Sequence, residues 1–263
     1  MNHLVMQEIW KNLILNIDVP RVVTLVGGGG KTSLMYYLLR IMKDAGYTVI
    51  ATTTTKLSSQ QLRWNNFIQI DSVDAGYQAI QEAKGMGDHV TLVSSQDIQL
   101  PGKMLGIPGE WIDQLAIRCK DVIFIVEGDG SAGKSLKGHM EHEPVFPSSS
   151  SLVIPVIGID SVGAQLNAQG VHRPEKICEL TGVIAQSLVT IELITKLLFH
   201  PQGYLHNCPK HNLIVPFINK VESVIQLQQG MELAQQILVS KYPKLGGIII
   251  GSLLQEEAIW LQV

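Results

Sequence analysis

Short apolar runs alternate along the chain with stretches in which apolar residues recur at i, i+3 and i+4. Runs of the first kind are Val22 to Val26, Tyr47 to Thr52, Val90 to Ser94, Val122 to Val126, Leu152 to Gly158, Asn212 to Ile218 and Leu245 to Gly251. Most are continuous rather than alternating, as expected of strands covered on both faces, although periodicity alone does not separate so short a run from a buried helical segment. Helical spacing extends from Lys31 to Asp44 and stops at Gly46. Further helices are expected from Pro108 through Cys119, over Ser187 to Phe199 and over Ser223 to Ser240, the last two closed by His200-Pro201 and Tyr242-Pro243. Before the first strand, Glu8, Lys11 and Asp18 fall among apolar residues, which fits an amphipathic helix and not a signal peptide. Strands alternating with helices, with no internal repeat, predict a parallel sheet with helices on both faces.

Composition narrows the picture modestly. With 46% hydrophobic and only 16% charged residues, the chain has the profile of a large core with little surface charge. A formal net charge of −3 argues against a broad basic face, so no nucleic-acid partner is expected. No apolar run is long enough to span a bilayer, so no membrane partner is expected either. Cys119, Cys178 and Cys208 are widely spaced and odd in number, which suits a reducing cytoplasm better than a disulfide framework.

The first strand drops into Gly27-Gly28-Gly29-Gly30-Lys31-Thr32-Ser33. Glycines lack Cβ, so the backbone turns tightly and aims N–H groups at an anion, and the following helix N-terminus adds a favourable dipole. The run therefore reads as a phosphate-binding loop for a nucleoside triphosphate, ATP or GTP. Lys31 is placed for the β/γ-phosphates and Thr32 for a Mg²⁺ ion. The spacing is a compact G-x-x-G-K-T starting at Gly27, shorter than G-x-x-x-x-G-K-[ST], and is similar to the loop of Mur-type peptide ligases. The fold class expected is α/β, a P-loop NTPase-like three-layer sandwich with a mostly parallel central sheet. We take residues 1–263 as a single P-loop-type domain with a long active-site loop at 128–151.

In open α/β sheets ligands sit beyond the carboxyl ends of the strands, and several of those ends carry chemistry here. Thr54, Thr55 and Lys56 follow the second strand, either facing a γ-phosphate, metal or substrate or simply closing a β-prone edge strand. Glu127-Gly128-Asp129-Gly130 follows Val122 to Val126, where a P-loop protein carries its second acidic motif. Glu127 is the metal candidate beside Thr32, and Asp129 is an outer or substrate-facing acid. Asn219-Lys220-Val221-Glu222 is one carboxylate homologue away from the N-K-x-D motif of GTP-binding proteins. In that motif the acid accepts from guanine, the lysine stem packs on the base and the asparagine amide bridges to the phosphate loop. A helix N-terminal turn explains Glu222 equally well.

The stretch from Gly128 to Ser151 is polar and lacks periodicity, so a long surface loop is expected. Within it, His139-Met140-Glu141-His142-Glu143 fits no metal-binding spacing and reads as a solvated charge cluster. Lys134 and Lys137 are either contacts for an anionic substrate or solvated lysines. His172-Arg173 precedes Pro174-Glu175 and a short helix, with Arg173 either clamping an anion or capping the helix in a salt bridge.

Taken together, Gly27 to Ser33, Glu127-Gly128-Asp129-Gly130, Leu136-Lys137, Glu143-Pro144-Val145-Phe146-Pro147, Val171-His172-Arg173-Pro174-Glu175 and Asn219-Lys220-Val221-Glu222 resemble the YqeC family. The resemblance spans about Arg21 to Gly251 and implies a P-loop nucleotide-binding fold. It also implies an accessory role in maturing a selenium-dependent molybdenum hydroxylase, with that enzyme or its cofactor as partner. The chain departs from the family pattern at Gly128, usually Ala, which leaves both acids in place, and at Glu222, usually Asp, which weakens any inference of guanine. Three functions compete: a Mg²⁺-dependent maturation NTPase, a kinase or ligase acting on a small molecule or cofactor, and a nucleotide sensor without turnover. Glu127 and Asp129 argue against the last.

Overall fold

A computed structural model describes residues 5–58, 67–86, 90–96, 99 and 102–263. In chain order the elements are α1 (Met6–Leu15), β1 (Arg21–Gly27), α2 (Lys31–Asp44), β2 (Val49–Thr53), β3 (Lys56–Ser58), β4 (Phe67–Gln69), α3 (Val73–Met86), β5 (Val90–Val93), β6 (Ser95–Gln96), β7 (Lys103–Leu105), α4 (Gly109–Arg118), β8 (Ile123–Glu127), β9 (Leu152–Gly158), α5 (Pro174–Thr181), α6 (Ile191–Phe199), β10 (Leu213–Ile214), β11 (Phe217–Asn219), α7 (Val224–Val239), β12 (Gly247–Ser252) and β13 (Glu257–Gln262). Among the described residues ten strands form one sheet in the order β13-β12-β11-β9-β1-β8-β2-β5-β4, with β10 beside β9. Within it, again among the described residues, only the β12–β13 pairing is antiparallel. The strands β3, β7 and β6 make a separate small antiparallel sheet.

The continuous apolar runs are explained by burial from both sides. Val23, Leu25, Ile123, Ile125, Ile154 and Val156 point to one face, where α1 and α2 cover them with Trp10, Ile14, Leu34 and Leu38. Val22, Ile50, Phe124 and Val126 point to the other, under α3 and α4. Further along that face, Ile157, Ile218 and Ile250 lie under α5, α6 and α7. A doubly covered strand has no polar side to display, so its sequence loses the period-two signature. This is the mostly parallel α/β sandwich expected from the pattern.

Several expectations need correction. The run Asn212 to Ile218 is two strands, because Pro216 has no N–H to donate and the ladder breaks between β10 and β11. The helix expected from Ser187 starts at Ile191, where Thr190 caps it by accepting from the Leu193 amide at 3.1 Å. The threonine run closes an interior strand, not an edge, since β2 lies between β8 and β5. The edge strand β4, the helix α3, the small antiparallel sheet and the closing strand β13 were not anticipated. Most consequential, the 128–151 stretch is no simple surface loop: Asp129, Lys137, His139 and Glu143 are all buried. The cluster around His139 is solvated only in part, with Glu141 and His142 exposed and its first and last residues inside.

Register fixes the site. Leu25 lies opposite Glu127, Thr53 opposite Glu127 from the other side, Gly27 opposite Val156, and Asn219 opposite Gly158. The glycine bend, the second acidic motif, the threonine run and the asparagine segment therefore share one edge of the sheet, at the carboxyl ends of five neighbouring strands.

Candidate functional site

The bend between β1 and α2 is built from glycines in the left-handed region, with φ of 96° at Gly27, 75° at Gly29 and 114° at Gly30. At Gly29 a Cβ would stand 2.1 Å from the Gly158 amide nitrogen, so space as well as torsion demands glycine. The leading amides face the protein: Gly27 N–H donates to Asp129, Gly28 N–H to Val156 O at 3.0 Å and Gly29 N–H to Lys134 O at 2.9 Å. The helix α2 that follows has no side-chain cap, so the amides of Gly30, Lys31, Thr32 and Ser33 have no acceptor within the helix. Of the amides in the bend, these first-turn groups are the donors available to an anion, with the helix dipole behind them.

Lys31 is buried and folds back on its own loop. Its ammonium bonds to Gly27 O and lies 3.1 Å from Asp129 Oδ1 and 3.8 Å from Glu127 Oε1. Beside it, Thr32 Oγ1 donates to both Glu127 oxygens, at 3.0 and 3.2 Å. A hydroxyl and a carboxylate so close are hard oxygen donors of the kind a small divalent cation takes, with phosphate oxygens and water completing the shell. No cluster of three His, Cys, Asp or Glu side chains fit for a metal occurs among the described residues. Thr32 and Glu127 could hold a small divalent cation only together with oxygens from a ligand and water.

Behind this pair lies a buried charge network that comes almost wholly from the 128–151 loop. Asp129 Oδ2 takes His139 Nε2 at 2.5 Å and lies 3.3 Å from Lys137 Nζ. Lys137 also donates to Gly130 O at 2.6 Å and to Glu143 at 2.9 Å, and Glu143 is gripped by the Arg173 guanidinium. The His139 ring stands edge-on to Tyr204 with centroids 4.8 Å apart, and its Nδ1 is buried without a hydrogen-bond partner. Burial opposes ionisation of Asp129, but Lys31, Lys137 and His139 outweigh it and hold that carboxyl well below the usual carboxylate range. Glu143 is lowered likewise, with burial opposed by Arg173 and Lys137. Glu127 goes the other way: burial pushes its carboxyl up against the pull of Lys31 and Thr32. Burial also pulls the His139 ring below its ordinary value, with Asp129 opposing.

The remaining candidates divide into those tied to the loop and those beside it. Asn219 Nδ2 donates to Gly29 O at 2.7 Å, which ties its segment to the glycine bend. Lys220 turns to Ser135 and Asp160, at 2.7 and 2.9 Å. Glu222 is exposed and accepts from Ser252 Oγ at 3.1 Å. An apolar groove of about 680 Å³ opens next to it, lined by Val224, Leu227, Ala258 and Ile259. Thr54 is pinned on Val145 O at 3.1 Å, Thr55 on Thr53 Oγ1 at 3.2 Å, and Lys56 is an exposed residue of β3. His172 pairs by backbone with Lys137, and burial together with Arg173 lowers its ring.

Sequence reasoning passed over Tyr204, Ser135, Ser252 and the inward turn of His139 and Glu143. Leu136, Val145 and Phe146, apolar residues spaced through an otherwise polar loop, were the available sign that the loop folds back. Tyr204 left no such sign.

Comparison with known proteins adds two findings. Residues 23–175 match the family described as YqeC protein. Over 218 residues, 83% of this chain and 83% of the relative, the sequence is 31% identical to the Escherichia coli (strain K12) protein named "Uncharacterized protein YqeC".

Proposed function

This chain belongs to the YqeC family, and from that premise we propose that it binds a nucleoside triphosphate with Mg²⁺ and hydrolyses it, as an accessory protein in the maturation of a selenium-dependent molybdenum hydroxylase. One observation carries the nucleotide reading. Thr32 Oγ1 sits on the Glu127 carboxylate, directly beside Lys31 and at the uncapped start of α2. Lysine, hydroxyl, acid and helix terminus converge where the ends of the neighbouring strands β1 and β8 meet.

Thr32 and Glu127 would hold the ion, which when bound neutralises charge on the transferring phosphoryl group. The first-turn amides would take phosphate oxygens, and Lys31 would turn from Gly27 O towards them. Asn219 steadies the bend from the far side through Gly29 O. Glu222, an acceptor at the rim of an apolar groove, would meet the base, in the place that the acid of the N-K-x-D motif takes. The proposal covers ATP and GTP alike. The hydroxylase client or its cofactor rests on the sequence resemblance alone. A kinase or ligase acting on a small molecule or cofactor is the second reading, which the compact G-x-x-G-K-T loop permits.

The test is Lys31→Ala. With folding verified by circular dichroism, turnover of ATP or GTP is expected to fall by about 10²–10³-fold or more, with strongly weakened nucleotide binding. Undiminished hydrolysis by the folded variant would remove the proposal. Stimulation by molybdopterin-type compounds, set against stimulation by a protein client, separates the two readings.

A further inference from the structure

Charges of alternating sign run in a line from the glycine bend outward: Lys31, Asp129, Lys137, Glu143, Arg173. Every member but Arg173 is buried. In this arrangement Lys31 is the counter-ion of Asp129, yet the same ammonium has to serve the phosphates of a bound nucleotide. Once it turns away, Asp129 remains a buried anion, and an unpaired buried charge is strongly disfavoured. His139 does not compensate for it fully, because a ring whose proton affinity burial has lowered offers one N–H and no charge.

We propose that Lys137 is a positioning residue for Lys31: it keeps Asp129 neutralised, and so releases Lys31 to the nucleotide. This rests on the nucleotide reading above and supplies the regulation of that site. Glu143 sets the strength of the effect. It draws the Lys137 ammonium to 2.9 Å, nearer than the 3.3 Å to Asp129, and Arg173 shares the same Glu143 Oε2, so the two cations compete for one acceptor. Arg173 is the one member of the line with a partly exposed side chain, at the start of α5, so anything that captured it would shift the balance back to the bend.

The consequence is a pattern of opposite signs that damage to the fold does not produce. Lys137→Met leaves Lys31 as the one ammonium on Asp129, beside the Gly27 N–H and the His139 ring, and nucleotide affinity is expected to fall by about tenfold or more. Adding Asp129→Asn to it removes the charge that detained Lys31, and affinity is expected to return. Glu143→Gln frees Lys137 for Asp129 and is expected to tighten binding a few-fold. The experiment is calorimetric titration of the full chain and each variant with MgATP and with MgGTP, with melting curves alongside. A Glu143→Gln protein that is folded but binds more weakly overturns the proposal, as does a double variant no tighter than Lys137→Met. Should Glu143→Gln unfold, the Lys137→Met and Asp129→Asn cycle decides alone. A wild-type chain that takes neither nucleotide overturns the nucleotide reading itself, whereas a wild type that binds with purely additive variants overturns only the role of Lys137.

Discussion

His139 holds one ring nitrogen on Asp129 while the other is buried with no partner, and this arrangement has a measurable cost. Its ring is pulled below the ordinary histidine value by burial, against the opposing effect of Asp129. The unfolded chain takes up that proton near pH 6.5 or so, at about the ordinary histidine value, and the folded chain does not. The His139 contribution to stability is therefore expected to be level above that value and to drop on acidification through it, by up to about 1.4 kcal/mol per pH unit, whereas the raised Glu127 carboxyl works in the opposite direction as it takes up its proton. The lowered carboxyls of Asp129 and Glu143 add further loss only at lower pH, through and below the ordinary carboxylate range. Urea unfolding across this range, with His139→Gln as the non-titrating partner that still donates to Asp129, checks it. Equal slopes for the two proteins would reject the assignment. None of this was legible residue by residue, because the H-M-E-H-E string looks solvated until the fold carries its ends inside.

The glycine bend is the element on which the site depends. Its local sequence already specified a tight turn after an apolar strand and before a helix, and the structure has that turn. It did not specify which amides face outward, since that follows from Lys134 and Val156, residues distant in sequence, accepting from Gly29 and Gly28. Gly29→Ala forces a Cβ against the Gly158 backbone at a φ of 75°. The expected loss is about 2 kcal/mol or more of stability, seen as a melting temperature lower by roughly 4–8 °C, together with weaker nucleotide binding. A variant that melts like the wild type would mean that the bend shifts freely. Strand β11 teaches the same lesson in reverse. Its run was visible as one strand, and Pro216 stood within it as the sign of the break.

At the scale of the whole molecule, the site is where ends of five parallel strands meet, so a ligand there stiffens elements far apart in sequence. Saturation with the proper Mg²⁺ nucleotide at about a hundred times its Kd is expected to add roughly 2.7 kcal/mol, raising the melting temperature by about 5–10 °C. Hydrogen exchange should slow together over residues 27–34, 127–147 and 219–222, which are linked by hydrogen bonds. A melting point unmoved by MgATP and MgGTP alike would tell against nucleotide binding. No helix among the described residues is long and apolar enough to cross a membrane. What the sequence determined unaided was local and periodic: the alternation of most core strands with helices, the glycine turn with its lysine and threonine, and the acids at a strand end. Continuous apolar runs and glycine torsions are properties of neighbouring residues, and they survive in one dimension. The tertiary structure alone decided that a polar loop turns inward, that Asp129 restrains Lys31, and which strand stands beside which. Those outcomes depend on pairing buried charges and backbone groups across more than a hundred residues of chain, and no spacing rule reaches that far.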